Sequence, residues 1–203
     1  KQLPKADLIL TNPPFGTKKG GGLPSRDDFT FPTSNKQLSF LQHIYRGLRP
    51  GGRAAVVLPD NVLFESNTGA DIRADLMDKC DLHTILRLPT GLFYAQGIKT
   101  NVLFFTRGKT EKGNTKQTWI YDARTNAPAF GKRTPFTEEY LASFVTAFGK
   151  GPLGTAKRKD EGSEGHWRSF SREDFRSRGE NLDITWLMAD SMTQADDLEE
   201  PES

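Results

Sequence analysis

The chain has 203 residues, 35% hydrophobic and 27% charged, with 28 basic against 26 acidic side chains and a net charge of +2. A length suited to one large or two modest domains, with this composition, excludes collagen-like, coiled-coil and fully disordered chains. The near balance of charge does not by itself announce a nucleic-acid partner. The longest apolar runs, Ala54-Ala55-Val56-Val57-Leu58 and Val102-Leu103-Phe104-Phe105, fall far short of the roughly 20 residues that span a bilayer, so no membrane segment is expected. A single cysteine, Cys80, and the absence of a secretory leader make a cytosolic (cytoplasmic) location the expectation.

In chain order, Asp7-Leu8-Ile9-Leu10 reads as a buried strand that stops at Thr11-Asn12-Pro13-Pro14, because two prolines cannot donate to a ladder. Residues 16–26 hold Gly16, Gly20, Gly21 and Gly22 with Lys18, Lys19 and Arg26, and read as a flexible loop. Ser34 opens a helix with capping-box spacing to Gln37, and Leu38, Leu41, Ile44, Tyr45 and Leu48 recur at helical period until Pro50-Gly51-Gly52. Residues 54–58 lack alternation, as in a parallel strand covered on both faces, and Pro59 closes them. Ile72, Leu76 and Cys80 mark a second helix, residues 82–88 a third strand halted by Pro89, and residues 101–106 a fourth. That fourth strand follows without a helix, which suits an antiparallel setting. Residues 117–121 suggest another strand, and residues 138–148 another helix with Leu141, Phe144, Val145 and Phe148 on one side. After Gly149 the regular signal fades. Residues 150–178 carry eight basic against five acidic side chains, and residues 184–203 six acidic and no basic; both read as solvated surface. Alternating strands and helices predict an α/β fold, a parallel sheet with helices on its faces.

The strongest constellation is Asn12-Pro13-Pro14-Phe15 at the carboxyl end of the first strand, where open α/β sheets bind ligands. Proline fixes φ and removes the N–H, so the Pro13 carbonyl and the Asn12 side chain can stand as a rigid pair of acceptors, with an aromatic ring beside them. Such a set suits a planar base bearing an exocyclic amine, whose two hydrogens the acceptors would take. A base reaching this pocket must leave the double helix, and the ring partly replaces the stacking lost. The alternative is a strand-ending turn in which Asn12 only caps backbone groups and Phe15 belongs to the core.

Asn-Pro-Pro-aromatic resembles the catalytic motif of S-adenosylmethionine-dependent amino-methyltransferases. The ordered set Leu58-Pro59-Asp60-Asn61-Val62-Leu63-Phe64, Arg73-Ala74-Asp75-Leu76, Leu88-Pro89-Thr90-Gly91-Leu92-Phe93, Gly97-Ile98-Lys99-Thr100-Asn101-Val102-Leu103-Phe104-Phe105, Phe130-Gly131-Lys132-Arg133-Thr134-Pro135-Phe136 and Leu182-Asp183-Ile184 is similar to the modification (M) subunit of type I restriction-modification systems. The resemblance implies N6-adenine methylation of double-stranded DNA with S-adenosylmethionine as cofactor. The complex it implies contains a specificity (S) subunit, a restriction (R) subunit and a second M subunit. It assigns Asn12, Pro13 and Pro14 to the grip on the target amine, Phe15 to stacking on the flipped base, and Lys99 and Asn101 to the base pocket, with Lys18, Lys19 and Arg26 on a loop that orders on DNA. The glycine-rich cofactor loop and ribose carboxylate of the family are not found in the chain, so the cofactor-binding residues are expected upstream of Lys1. The fold implied is the later half of a Rossmann-like methyltransferase sheet with an irregular C-terminal extension. Residues 1–149 would be the partial catalytic domain, 150–166 a linker and 167–203 the extension. Taken alone, this piece is expected to be inactive.

Other readings are methylation of cytosine N4 or of a protein glutamine, whose enzymes share the four-residue motif, and a non-catalytic fragment that docks a specificity subunit. Gly20-Gly21-Gly22 lacks the P-loop order. Cys80 reads as a small core residue, and His43, His83 and His166 are isolated, so no metal is expected.

Overall fold

The computed structural model describes residues 4–15, 29–93, 97–128 and 130–187. Six strands form one mixed sheet in the order β1-β2-β4-β3-β5-β6: β1 (Ala6–Thr11), β2 (Leu48–Pro59), β3 (Cys80–Arg87), β4 (Thr100–Arg107), β5 (Gln117–Asp122) and β6 (Trp167–Ser171). Strand β1 is parallel to β2 and β3 to β5, while β4 runs antiparallel between β2 and β3. The helices are α1 (Lys36–Gly47), α2 (Asn61–Phe64), α3 (Thr68–Lys79), α4 (Ala142–Phe148) and α5 (Arg172–Ser177). None of the described helices is long and apolar enough to cross a membrane.

Alternation along the strands divides the apolar side chains between two faces. Leu103 and Phe105 of β4 join Val56, Leu58, Leu82 and Ile85 beneath Leu38, Leu41, Ile72 and Leu76 of α1 and α3. Val102 and Phe104 join Leu86, Trp119 and Trp167 on the other face, under Phe144 and Phe148 of α4. At the β1 edge this second face is uncovered among the described residues, and Leu10 is 68% exposed.

Several expectations are corrected. The cap of α1 is Asn35, whose carboxamide oxygen accepts from the backbone N–H of Gln37 (3.0 Å) and Leu38 (3.2 Å); Ser34 lies one residue too early. Helix α1 ends at Gly47, and Pro50-Gly51-Gly52 falls inside β2 instead of ending the helix. Pairing jumps from Ala6↔Leu48 to Leu8↔Arg53, so residues 49–52 oppose the single Asp7, and this bulge absorbs the donor that Pro50 lacks. Cys80 begins β3 rather than closing the helical stripe of α3. The helix expected over 138–148 is a 3-10 turn, Glu138–Leu141, followed by α4, and Val145 faces solvent. The tail read as irregular is partly regular, since β6 extends the sheet antiparallel to β5 and α5 follows with a Ser171–Asp174 capping box.

Within residues 150–166, the Arg158 guanidinium lies 4.6 Å from the Phe148 ring centroid and donates to the His83 carbonyl and Thr84 Oγ1. Past α5, the chain is tied back by two arginines. Arg73, 1% exposed, donates to the carbonyls of Glu180 (2.6 Å) and Val62 (3.1 Å). Arg87 donates to the Ile184 carbonyl (2.7 Å) and pairs with Asp183 (3.2 Å).

Candidate active site

The carboxyl ends of β1 and β2, the first turn of α1 and the approach to β4 enclose an open hollow of about 330 Å3, lined by Phe15, Gln37, Pro59, Asp60, Asn61, Ile98 and Lys99. Asn12-Pro13-Pro14-Phe15 leaves β1 directly toward it. Asn12 and Pro14 are exposed, Pro13 is buried and Phe15 half-buried. The loop is tied at two points: Gln37 Nε2 donates to the Pro14 carbonyl (3.5 Å), and the Phe15 ring meets Phe93 edge to face, centroids 5.2 Å apart. Phe93 stands beyond the carboxyl end of β3, so this contact links the loops after β1 and β3.

Beneath the hollow lies a charged network. The Arg124 guanidinium grips Asp60 with two hydrogen bonds of 2.9 Å and donates to the carbonyls of Leu88 and Thr100, both at 3.0 Å. Asn101, fully buried, donates from Nδ2 to Asp60 Oδ1 (2.7 Å). Asp60 stands at the N-cap position of α2 without capping it, because its carboxylate is turned to these partners instead. Arg124 is itself presented by a turn in which Asp122 Oδ1 accepts the backbone N–H groups of Arg124 and Thr125, each at 2.8 Å. One guanidinium thus joins the ends of β2, β3 and β4, a fork-on-carboxylate geometry that fixes position as well as charge.

Of the residues expected at a site, Phe15 and Lys99 line the hollow, Pro14 is tied to its Gln37 wall, and Asn12 and Pro13 precede them on the same loop; Lys99 also accepts the Asp60 N–H at its carbonyl (3.0 Å). Asn101 is under the floor, its carboxamide engaged by Asp60, so it supports the pocket and does not face it. Lys18, Lys19 and Arg26 lie outside the described residues. Among the described residues no cluster of His, Cys, Asp or Glu could hold a metal ion. Burial pushes the Cys80 thiol up to about 12, which leaves it unreactive near neutral pH.

A family profile described as N-6 DNA Methylase matches residues 1–196. The chain belongs to the N-6 DNA methylase family. The methylase subunit of the type I restriction enzyme StySJI of Salmonella typhimurium is 52% identical over the whole of this chain and 43% of its own length. The EcoKI methylase subunit of Escherichia coli is 50% identical with the same coverage. The crystal structure of the EcoKI M protein matches with a TM-score of 0.85 and 51% identity, over 92% of this chain and 44% of that one. The chain therefore spans less than half the length of these relatives, and its sheet has the Rossmann-like architecture of type I methylase subunits.

Within this N-6 DNA methylase segment, Asp60, Arg124, Gln37 and Phe93 are the residues that sequence reading left without a role. Asp60 was visible as a carboxylate directly after a strand-ending proline. Arg124 gave no signal, since its partner lies 64 residues away and only the fold joins them.

Proposed function

We propose that the Asn12–Phe15 loop is the target-amine grip of an adenine-specific DNA methyltransferase, the modification subunit of a type I restriction-modification complex acting in the cytosol with specificity and restriction subunits. The observation that carries this is the placement of the motif at a strand's carboxyl end, bordering a hollow with Phe15 in its wall. The Asn12 side-chain oxygen and the Pro13 carbonyl accept the two amine hydrogens, which favours a tetrahedral nitrogen and withdraws its lone pair from the ring. Phe15 stacks on the extruded base.

The methyl donor implied by the family is S-adenosylmethionine. The described residues do not fit its methionine or ribose ends: the carboxylate at the hollow, Asp60, is already taken by Arg124 and Asn101, and no glycine-rich strand-to-helix turn occurs among the described residues. No role toward the donor is assigned to them.

The test is Asn12→Ala and Asn12→Asp in the full-length subunit assembled with its specificity subunit. Single-turnover methylation of DNA adenine should fall by a factor on the order of a hundred or more for Asn12→Ala and partially for Asn12→Asp. Donor binding and thermal melting should stay near parental, because Asn12 is exposed. Parental methylation by Asn12→Ala would leave only a strand-ending turn.

A further inference from the structure

The motif Phe130-Gly131-Lys132-Arg133-Thr134-Pro135-Phe136 forms a turn held from below by aromatic rings and tipped with two cations. Phe130 meets Phe136 and Tyr140 edge to face, with centroids 5.1 and 4.9 Å apart, and the Tyr140 hydroxyl donates to the Ala123 carbonyl (2.9 Å). The Gly131 N–H closes the turn on the Thr134 carbonyl (3.0 Å). Residues 131–135 are all exposed, and among the described residues neither Lys132 nor Arg133 has an ion-pair partner. By contrast, Arg87 and Arg124 nearby are each paired with carboxylates.

The turn also has a fixed address. The Phe130 carbonyl lies so close to Gly91 that a Cβ there would sit 2.8 Å from it, and Gly91 adopts φ +84°, a conformation suited to glycine. Two residues along the chain, Phe93 touches Phe15 in the wall of the hollow. Two like charges held side by side, with no counter-charge among the described residues, repel each other. A preordered cationic tip next to a base pocket complements phosphates on the strand from which the base is extruded.

We propose that Lys132 and Arg133 form a phosphate clamp for the DNA backbone flanking the target nucleotide. This rests on the adenine-methylation reading above. The test uses the full-length subunit assembled with its specificity subunit and a duplex carrying the methylation target, with affinity measured against salt. Two lost phosphate contacts should flatten the plot of log affinity against log salt by about 1.8 in the Lys132→Ala, Arg133→Ala double variant. Between 50 and 200 mM salt the parental affinity should then fall by roughly 12-fold more than that of the variant. The charge-preserving double variant Lys132→Arg, Arg133→Lys should keep the parental slope, and Gly91→Ala, which displaces the turn without removing charge, should lower it.

An unchanged slope in the double alanine variant overturns the proposal. So does loss of the specificity subunit from that variant in size-exclusion chromatography, which would make the tip a protein contact. Asn12→Ala run in parallel separates the two readings. If it keeps the parental methylation rate while the double alanine variant loses slope, the reading of the hollow fails and the clamp stands. If it loses methylation and the double variant keeps its slope, the clamp fails alone.

Discussion

Replacing Arg124 with Met keeps much of the apolar stem and removes the guanidinium's hydrogen bonds to Asp60, Leu88 and Thr100 under the hollow. The Asp60 carboxylate would be left with Asn101 as its remaining side-chain partner in the network. Breaking a buried ion pair by removing one member costs about 3–5 kcal/mol, and the side-chain exposures here, 11% for Arg124 and 17% for Asp60, place this pair at the low end, about 3 kcal/mol. The Leu88 carbonyl loses its guanidinium donor, adding about 1 kcal/mol, whereas the Thr100 carbonyl keeps the Leu88 N–H. We expect a total of about 4 kcal/mol. Because most of that is an uncompensated charge, adding Asp60→Asn should return at least ~2 kcal/mol as coupling in a double-mutant cycle. Urea unfolding of the full-length chain, followed by tryptophan fluorescence, suits the measurement, since Trp119, Trp167 and Trp186 all lie on or against β5 and β6, next to the turn that presents Arg124. A cost below about 1 kcal/mol for the single variant, or strict additivity in the cycle, would refute the account of this network.

Arg73→Met should orphan the Glu180 and Val62 carbonyls and destabilise by about 2–3 kcal/mol, with hydrogen exchange rising first at residues 180–184. Phe15→Ala should weaken capture of the flipped base by about 1–3 kcal/mol, read as a loss of 2-aminopurine fluorescence change at the target position, while Phe15→Tyr is tolerated. A pH effect should emerge from the corner where Arg158 lies. Burial raises the Asp81 carboxyl to about 6, so its contribution to stability is present below its unfolded value near 3.8 and is lost as pH rises through 6. Burial lowers His83 to about 4, so its contribution is present above 6.5 and is lost as pH falls through 4. The two oppose each other between pH 4 and 6. Asp81→Asn should therefore stabilise at pH 7 and unmask a loss of stability on acidification; a urea midpoint for Asp81→Asn with the parental pH dependence would contradict it.

Much of the sheet is legible in the chain because its strands are bounded by residues with a fixed backbone meaning. Pro13-Pro14, Pro59 and Pro89 stand at or just beyond the ends of β1, β2 and β3, and residues 54–58 are apolar on both sides although Ala54, Val56 and Leu58 are buried and Ala55 and Val57 only half-buried. The misreadings arise where two local signals are equally good. Ser34 and Asn35 can both cap a helix, and only the extended Asn35 backbone decides. Cys80 continues the four-residue period of Ile72 and Leu76, yet its extended backbone begins β3. Strand β6 has too little apolar alternation to stand out, since its pairing with β5 is made by backbone groups. At the site, Asn12 to Phe15 could be read because the chemistry is contiguous. The Asp60–Asn101–Arg124 network could not, because its members meet only when three strand ends converge.

The position of β4 also orders events in time. It is the last of the three central strands to be synthesised, yet it sits between the other two. The nearby β3 and β4 can pair early, since Arg87 and Asn101 face each other across a short span of chain, and closing a short loop takes little entropy. Until that pair docks, β2 presents an open edge, and docking brings Thr100 opposite Pro59. The step that joins these three strands is then the same step that brings Lys99 to Asp60, so a refolding molecule gains this side of its hollow only when the β3–β4 pair meets β2, an encounter we take as the rate-limiting one. On this hypothesis Phe105→Leu in β4 should slow refolding, whereas Ile9→Val at the β1 edge should mainly hasten unfolding; equal slowing by both would place β1 in the same barrier.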